Sequence, residues 1–299
     1  MESLIPPYYS LTLVVVGTIF NFLTFIILCR LTCRNVNVRS TVHYMRVIAI
    51  FDILMLYGWN LDHYLSAIHG FTIQKSSIPS CRLLSFLNYF AAQSSAWLRV
   101  FACLDRYLAL SCSHRIWFCY SKNVLIIILS TISTITLLNL HFIICGCSYR
   151  LNGSISVQSW LFQTYPLWDY VNLGVYNCVP FILMITLDVG VIYYLFHLRH
   201  INIFRNLSIQ HRPISTTLLV TTFLFLIMTV PSTVAFAFFS TADSTLLYCL
   251  DGLLYSYHVL SFPIYMITLA AFRRTCIKMI KCTKNQRKIV PHIQIQHKK

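Results

Sequence analysis

Charge is what this chain lacks. Of 299 residues only 10% are Asp, Glu, Lys or Arg, just 8 are acidic, and 57% are hydrophobic, for a mean hydropathy of +0.68. Soluble domains carry about 25% charged residues, so an ordinary soluble fold is excluded and a membrane protein is indicated. Long polar stretches are missing too, which leaves no room for a second folded domain. The opening MESLIPPYYS has no basic region and no cleavage-type pattern, so no removable signal peptide is expected and the first span serves as an uncleaved anchor. There are no self-similar halves of the kind transporters show, and no filter-like segment or pore ring of a channel. No His-x-x-x-His or Cys-x-x-Cys pair stands in a metal setting, and Cys145-Gly-Cys147 is too closely spaced for a zinc pair. Asp52, Asp188 and His258 form no recognisable catalytic constellation. Neither an enzyme nor a metal or other cofactor is expected.

What is present is a row of apolar stretches at about 9–30, 43–66, 82–108, 123–146, 171–198, 214–239 and 246–270. Each reaches the roughly 20 residues needed to cross a hydrocarbon core. The expectation is an all-α membrane protein, a seven-transmembrane helix bundle covering 1–272, followed by a basic helix and tail over 273–299. Of the 23 lysines and arginines, all but Lys75, Arg82, Arg99 and Arg150 fall on one side of an alternating thread. The positive-inside rule therefore puts the carboxyl terminus in the cytoplasm and the amino terminus outside. The formal charge of +15 reports this topology and attraction to an anionic inner leaflet. Nucleic-acid binding would need a basic face on a soluble fold, and there is none. Twelve cysteines lie mostly in spans or on the reducing side, with Cys81, Cys145, Cys147, Cys178 and Cys249 at or near the outer side. Asn152-Gly-Ser154 is the glycosylation triplet on the outer side.

The third stretch contains SSAWLRVFACLDRYLAL, with Arg99, Asp105 and Arg106 at a depth where charge is costly. At about 100° per residue, Asn88, Ser95, Arg99 and Arg106 fall within about 20° of one line. A polar ridge on an otherwise apolar span belongs against other helices or an internal cavity, so this span should be central. Asp105 is close enough around the helix to shield Arg106.

Asp105-Arg106-Tyr107 ends this third span, and Cys81 begins it 25 residues before Arg106. In this topology the chain resembles the rhodopsin-like G-protein-coupled receptors. Asn21 in span one and Asp52 in Ala49-Ile-Phe-Asp52 match that family's intramembrane Asn and Asp. Pro180 in span five, and Phe225 with Pro231 in span six, match its helix-bending prolines and adjacent aromatic. Ser261-Phe262-Pro263-Ile264-Tyr265 is similar to its span-seven motif, with Tyr265 on the family tyrosine and the proline displaced by one, and Phe272-Arg273 opens a short amphipathic cytoplasmic helix. Thr229 stands where the family usually has tryptophan, span four lacks tryptophan, and His211-Arg212 replaces the acid usual at the start of span six.

The resemblance implies a plasma-membrane, multi-pass receptor whose partners are an extracellular ligand, the lipid bilayer and a heterotrimeric G protein. Span six, hinged at Pro231, swings outward and frees Arg106 from Asp105 to meet the G protein. In the family the aspartate matching Asp52 holds sodium with a span-three serine, here Ser95, while Ser261 replaces the family asparagine. Arg99, one turn from Ser95, is expected to pair with Asp52 in place of the ion, and Asp188 is a second candidate partner for either arginine. Cys81 is expected in a disulfide; Cys145 and Cys147 are the available partners, with Cys147 preferred. Cys276 and Cys282, among basic residues, are candidate palmitoylation sites.

Tyr255 stands at the position of the opsin lysine and Asn88 at that of the monoamine-receptor aspartate, which argues against both ligand types. The acids Asp62 and Asp251, with aromatics including Tyr89 and Tyr255, suit a basic or amidated peptide through ion pairs and cation–π contacts. Local wording such as YPLWDYVNLGVYNCVPF and NLDHY is similar to invertebrate neuropeptide receptors of the FMRFamide type. The alternatives are a chemosensory receptor for a small molecule, or a seven-helix transporter or channel.

Overall fold

The computed structural model describes residues 5–31, 36–111, 121–149, 153–156, 167–200, 205–239 and 244–289. Five helices come first: α1 (Ile5–Arg30), α2 (Val36–Leu56), α3 (Trp59–His69), α4 (Ile78–Ser111) and α5 (Ser121–Cys145). A small antiparallel hairpin follows, β1 (Ser148–Tyr149) with β2 (Ile155–Ser156). Next, α6 (Leu167–Asn172) runs through a π-helical turn, Leu173–Cys178, into α7 (Val179–His200). The chain ends in α8 (Arg205–Phe238), α9 (Ser244–Val259), α10 (Ser261–Thr268) and α11 (Ala270–Ile289).

All seven apolar stretches are thus helical. Among the described residues, five helical stretches are long and apolar enough to cross a membrane: Pro7–Arg30, Ser40–His69, Lys122–Cys145, Leu167–Phe196 and Pro213–Phe238. α4 is more polar because it carries Arg99, Asp105 and Arg106, and α9 is shorter. α8 begins at Arg205, well before the apolar run from 214, since an established helix propagates through residues that add one hydrogen bond each.

The polarity is inverted relative to a protein in water. Leu125, Ile126, Leu129 and Leu137 of α5, and Ile182, Val189 and Phe196 of α7, are exposed. Asn21, Asp52, Ser95, Asn139, Asn177, Thr229 and His258 are fully buried. Soluble monomers rarely expose apolar area on that scale, whereas lipid-facing helices do so by necessity. α4 sits at the centre, touching α2, α5, α7, α8 and the π-turn, as its polar ridge requires.

Two local sequence features fix how α4 meets its neighbours. Gly58 separates α2 from α3; a Cβ there would lie 2.9 Å from Asn88 Oδ1, so glycine permits the close approach of α4. In an α-helical register the ring of Pro180 would press on the carbonyl of Tyr176, and the turn before it is wound wider. Val179 N–H bonds the carbonyl of Gly174, a five-residue step, and the next donor in that register would be residue 180, which has no N–H. The carbonyl of Val175 instead accepts the indole N–H of Trp97, at 3.0 Å. A side chain of the central helix thereby satisfies a backbone group that Pro180 orphans.

The near end of α4 is tied to the segment after α5 by the disulfide Cys81–Cys147. α11 is set off from α10 by Leu269, whose backbone is extended. Phe272, in the first turn of α11, is fully buried in the core.

Candidate functional site

The polar line of α4 meets three groups of residues, one above another. The central one is built on Asp52 of α2, whose carboxylate is wholly buried. Its Oδ1 accepts the Ser95 hydroxyl at 2.7 Å and Nδ1–H of His258 at 2.8 Å. Its Oδ2 accepts Nη2 of Arg99 at 2.8 Å and the Ser261 hydroxyl at 3.1 Å. Four donors occupy the four lone-pair positions of a carboxylate. Arg99 also donates through Nη1 to Ser95 and lies over the Tyr257 ring, 4.8 Å from its centroid. Asp52 and Arg99 cancel in charge, as a buried ion needs a partner.

His258 joins Asp52, so these two residues, which form no catalytic constellation in the sequence, share one hydrogen-bonded cluster. With Nδ1–H given to Asp52, Nε2 accepts the Tyr176 hydroxyl at 3.3 Å. Asn21 donates to the backbone carbonyl of His258 at 2.9 Å, tying α1 to α9. Tyr265 is buried beside the cluster.

Beneath this, at the far end of α4, Arg106 is completely buried and its Nη2 lies 3.0 Å from Asp105 Oδ2. The same oxygen accepts the Ser40 hydroxyl at 2.9 Å and that of Thr41. The aspartate is therefore held by α2 as well as by its neighbour. Tyr107 stacks edge-on with Tyr194 at 5.8 Å and covers Gly190, where a Cβ would come within 2.6 Å of its ring. Burial of Arg106 rules out snorkelling to an interface as its resting state.

Toward the Cys81 end lies a cavity of about 440 Å³. Asp62, Asn88, Tyr89, Asp251 and Tyr255, the five residues singled out from the sequence, all line it. Tyr255 donates to Asn88 Oδ1 at 3.3 Å, and Tyr89 stacks on Phe142 at 4.8 Å. Trp59, His63, Asp169, Tyr176 and Ser232 also contribute to the wall. Asp62 is less available than its position suggests, because its Oδ1 accepts Ile73 N–H at 2.6 Å and so braces the turn after α3.

Phe225 of α8 is fully buried between Tyr176 and Tyr257, edge-on to both at 5.6 and 5.5 Å. Thr229 donates to Asn177 at 2.8 Å, and Asn177 donates to Thr233, so α8 is hydrogen-bonded to the π-turn. Pro231 lies between these threonines and leaves the carbonyl of Ile227 without its helical donor.

Other expectations do not fit. Asp188 reaches neither arginine: Thr222 donates to it at 2.8 Å and the Cys103 thiol lies beside it. Cys276 is buried in the core cluster with Phe272, so its thiol faces the bundle and is not presented for acylation. The side chain of Cys282 and the whole of Asn152 lie outside the described residues.

His258 had a signal. Asp251, Tyr255 and His258 recur at intervals of four and three, a polar stripe on α9 matching that on α4. Tyr176 and Asn177 had none, because the π-turn shifts the register of inward-facing positions. Comparison of the chain with protein-family models and with curated proteins finds no match.

Proposed function

We propose that the chain is a receptor of the rhodopsin-like G-protein-coupled type. In this reading it has seven spans, lies in the plasma membrane with its amino terminus outside, binds an extracellular ligand and activates a heterotrimeric G protein. One observation carries it. A single face of α4 touches a cavity at one end through Asn88, a neutralised polar cluster at its middle through Ser95 and Arg99, and a closed Asp105–Arg106 pair at the other end. That is the layout a transducer needs, with a ligand seat and a sequestered cation joined by one rod.

Ligand binding acts only by favouring one arrangement over another. α8 is the element both ends can bias, since Ser232 and Thr233 line the cavity while Phe225 seals the layer beside Arg99. Pro231, lacking an N–H, is the point at which α8 bends with least loss. Outward movement of the lower part of α8 opens a crevice beside Arg106, which then leaves Asp105 for the G protein. Arg99 holds the place of a sodium ion at Asp52; an ion entering there would have to displace one of four donors and sit beside a guanidinium.

A peptide whose end enters the cavity is the favoured ligand. The cavity volume supports a second reading, a chemosensory receptor that encloses a small molecule whole, since about 300–1,000 Å³ is usual for such sites. The test is guanine-nucleotide exchange in cells co-expressing the chain with each class of G protein. Asp105→Asn, which weakens the hold on Arg106, is expected to raise basal exchange, and Arg106→Gln to abolish it. Normal surface expression with no change in exchange for either variant, or ion flux in the absence of exchange, refutes the receptor reading.

A further inference from the structure

Three carboxylates line the cavity, Asp62, Asp169 and Asp251, and no lysine or arginine is among the described residues of its wall. Bonding and burial separate them. Asp62 accepts the backbone N–H of Ile73, so it is consumed in shaping a turn. Asp169 is only partly buried and keeps contact with water. Among the described residues Asp251 has one hydrogen bond, from Ser232 to Oδ1 at 2.9 Å. The polar group nearest its Oδ2 among them is Nε2 of His63, at 3.9 Å, beyond hydrogen-bonding reach.

Asp251 is nevertheless only 6% exposed. A carboxylate taken out of water with a single hydroxyl donor and no bonded cation is costly. The contrast with Asp52 is direct: that carboxylate, also buried, has four donors, a guanidinium among them. Asp251 instead lines a void whose other walls include Trp59 and Tyr255. Aromatic faces and an under-bonded carboxylate are complementary to the same chemical group, a cation bearing N–H donors.

We infer that Asp251 is the anionic seat for an amine or guanidine group of the ligand, with the remainder of that ligand held against the aromatic wall. The inference rests on the receptor reading only for calling the occupant a signal. The cationic group can come from a free small molecule or from the end of a peptide. Binding to Asp251 supplies the missing donor, and it also loads Ser232 and therefore α8, the helix whose displacement uncovers Arg106.

The test uses the purified full chain in detergent, with benzylguanidine and benzylamine as free cations and acetyl-Gly-Gly-Arg-amide as the peptide-borne one. Benzyl alcohol and phenylacetate are the neutral and anionic controls. Binding is read as a rise in unfolding temperature and by calorimetry at millimolar concentration. At least one cationic probe should bind, with the controls at least about tenfold weaker. Asp251→Asn should weaken that probe by at least about tenfold, while Asp62→Asn and Asp169→Asn change it by less than about threefold. Unliganded unfolding temperature identifies a variant that has simply misfolded. Preference for the peptide over both small cations assigns the peptide source, and the reverse the free one. Silence from every cationic probe, equal binding of benzyl alcohol, or an unchanged affinity in a folded Asp251→Asn variant overturns the inference. Cation binding together with unchanged exchange in the Asp105→Asn and Arg106→Gln variants keeps it and removes the receptor reading instead; exchange triggered by a neutral or anionic ligand at this cavity does the opposite.

Discussion

Asp52→Asn changes one oxygen into an amide and leaves the size of the side chain nearly unaltered. The consequence falls on Arg99, 5% exposed, which then retains only Ser95 and the Tyr257 face. Removing one partner of a buried pair costs about 3–5 kcal/mol, because an uncompensated charge stays behind. Arg99→Met strands the other charge, but Asp52 keeps donors from Ser95, His258 and Ser261, so its cost belongs near the lower end, about 3 kcal/mol. If the two positions acted independently, the double variant would lose about 6–8 kcal/mol. Physically it should lose no more than Asp52→Asn alone, since both buried charges are gone. The coupling is then about 3 kcal/mol or more. Reversible unfolding in mixed micelles, followed by tryptophan fluorescence over an SDS titration, measures all four corners of the cycle. Additivity within about 0.5 kcal/mol would refute the pairing as the organising interaction of this layer.

The remaining predictions address neighbouring features. Exchanging sodium for potassium at constant ionic strength is expected to leave unfolding and ligand affinity unchanged, and a sodium-specific shift that Asp52→Asn removes would show that Arg99 has not taken the ion's place. Trp97→Phe strips the donor from the Val175 carbonyl and should cost about 1–2 kcal/mol; in a Pro180→Ala background, where residue 180 regains an N–H, that cost should shrink to a few tenths, and an equal penalty in both backgrounds would contradict the origin given for the π-turn. Cys81→Ser, Cys147→Ser and the double variant should lose the same amount. For a separation of 66 residues the chain-entropy limit is about 4 kcal/mol, lowered because helices persist in the denatured state within a membrane; a larger loss in the double variant than in either single one would argue against this pairing.

What was legible in the sequence follows from period and composition. The seven helical stretches were readable because a core of lipid demands a run of about 20 apolar residues, a signal that hardly depends on context. The ridge of Asn88, Ser95, Arg99 and Arg106 was readable because a helix repeats every 3.6 residues, and each of these four side chains is buried. What escaped depends on partners from other helices. Asp188 could be seen as an acid in need of company, but only the crossing of α4, α7 and α8 decides that it meets Cys103 and Thr222 rather than an arginine. Cys276 has the basic neighbours expected of an acylation site, and the rotation of α11, set by Phe272 and the extended Leu269, turns it inward. The inward side of the segment before α7 was not legible at all, because Pro180, with its ring and its missing N–H, is preceded by a wide turn that shifts the register of the positions around it.

The same missing N–H bears on how the layers communicate. The π-turn carries Tyr176 to His258 and Asn177 to Thr229 and Thr233, so one six-residue turn touches the Asp52 cluster, α8 and the cavity wall at once. α7 and α8 are otherwise joined in the interior by Thr222 on Asp188. A rearrangement of the π-turn to ordinary α-helix would rotate Tyr176 off His258 and withdraw Asn177 from α8 in a single step, without breaking the Asp52–Arg99 pair. The stable centre and the movable flank are therefore different residues: charge pairing fixes α2 to α4, and hydrogen bonds from uncharged donors to neutral or carboxylate acceptors, each worth about 1–3 kcal/mol, hold α8. A bundle arranged this way yields first along α8, which is the helix that an occupant of the cavity touches through Ser232 and Thr233.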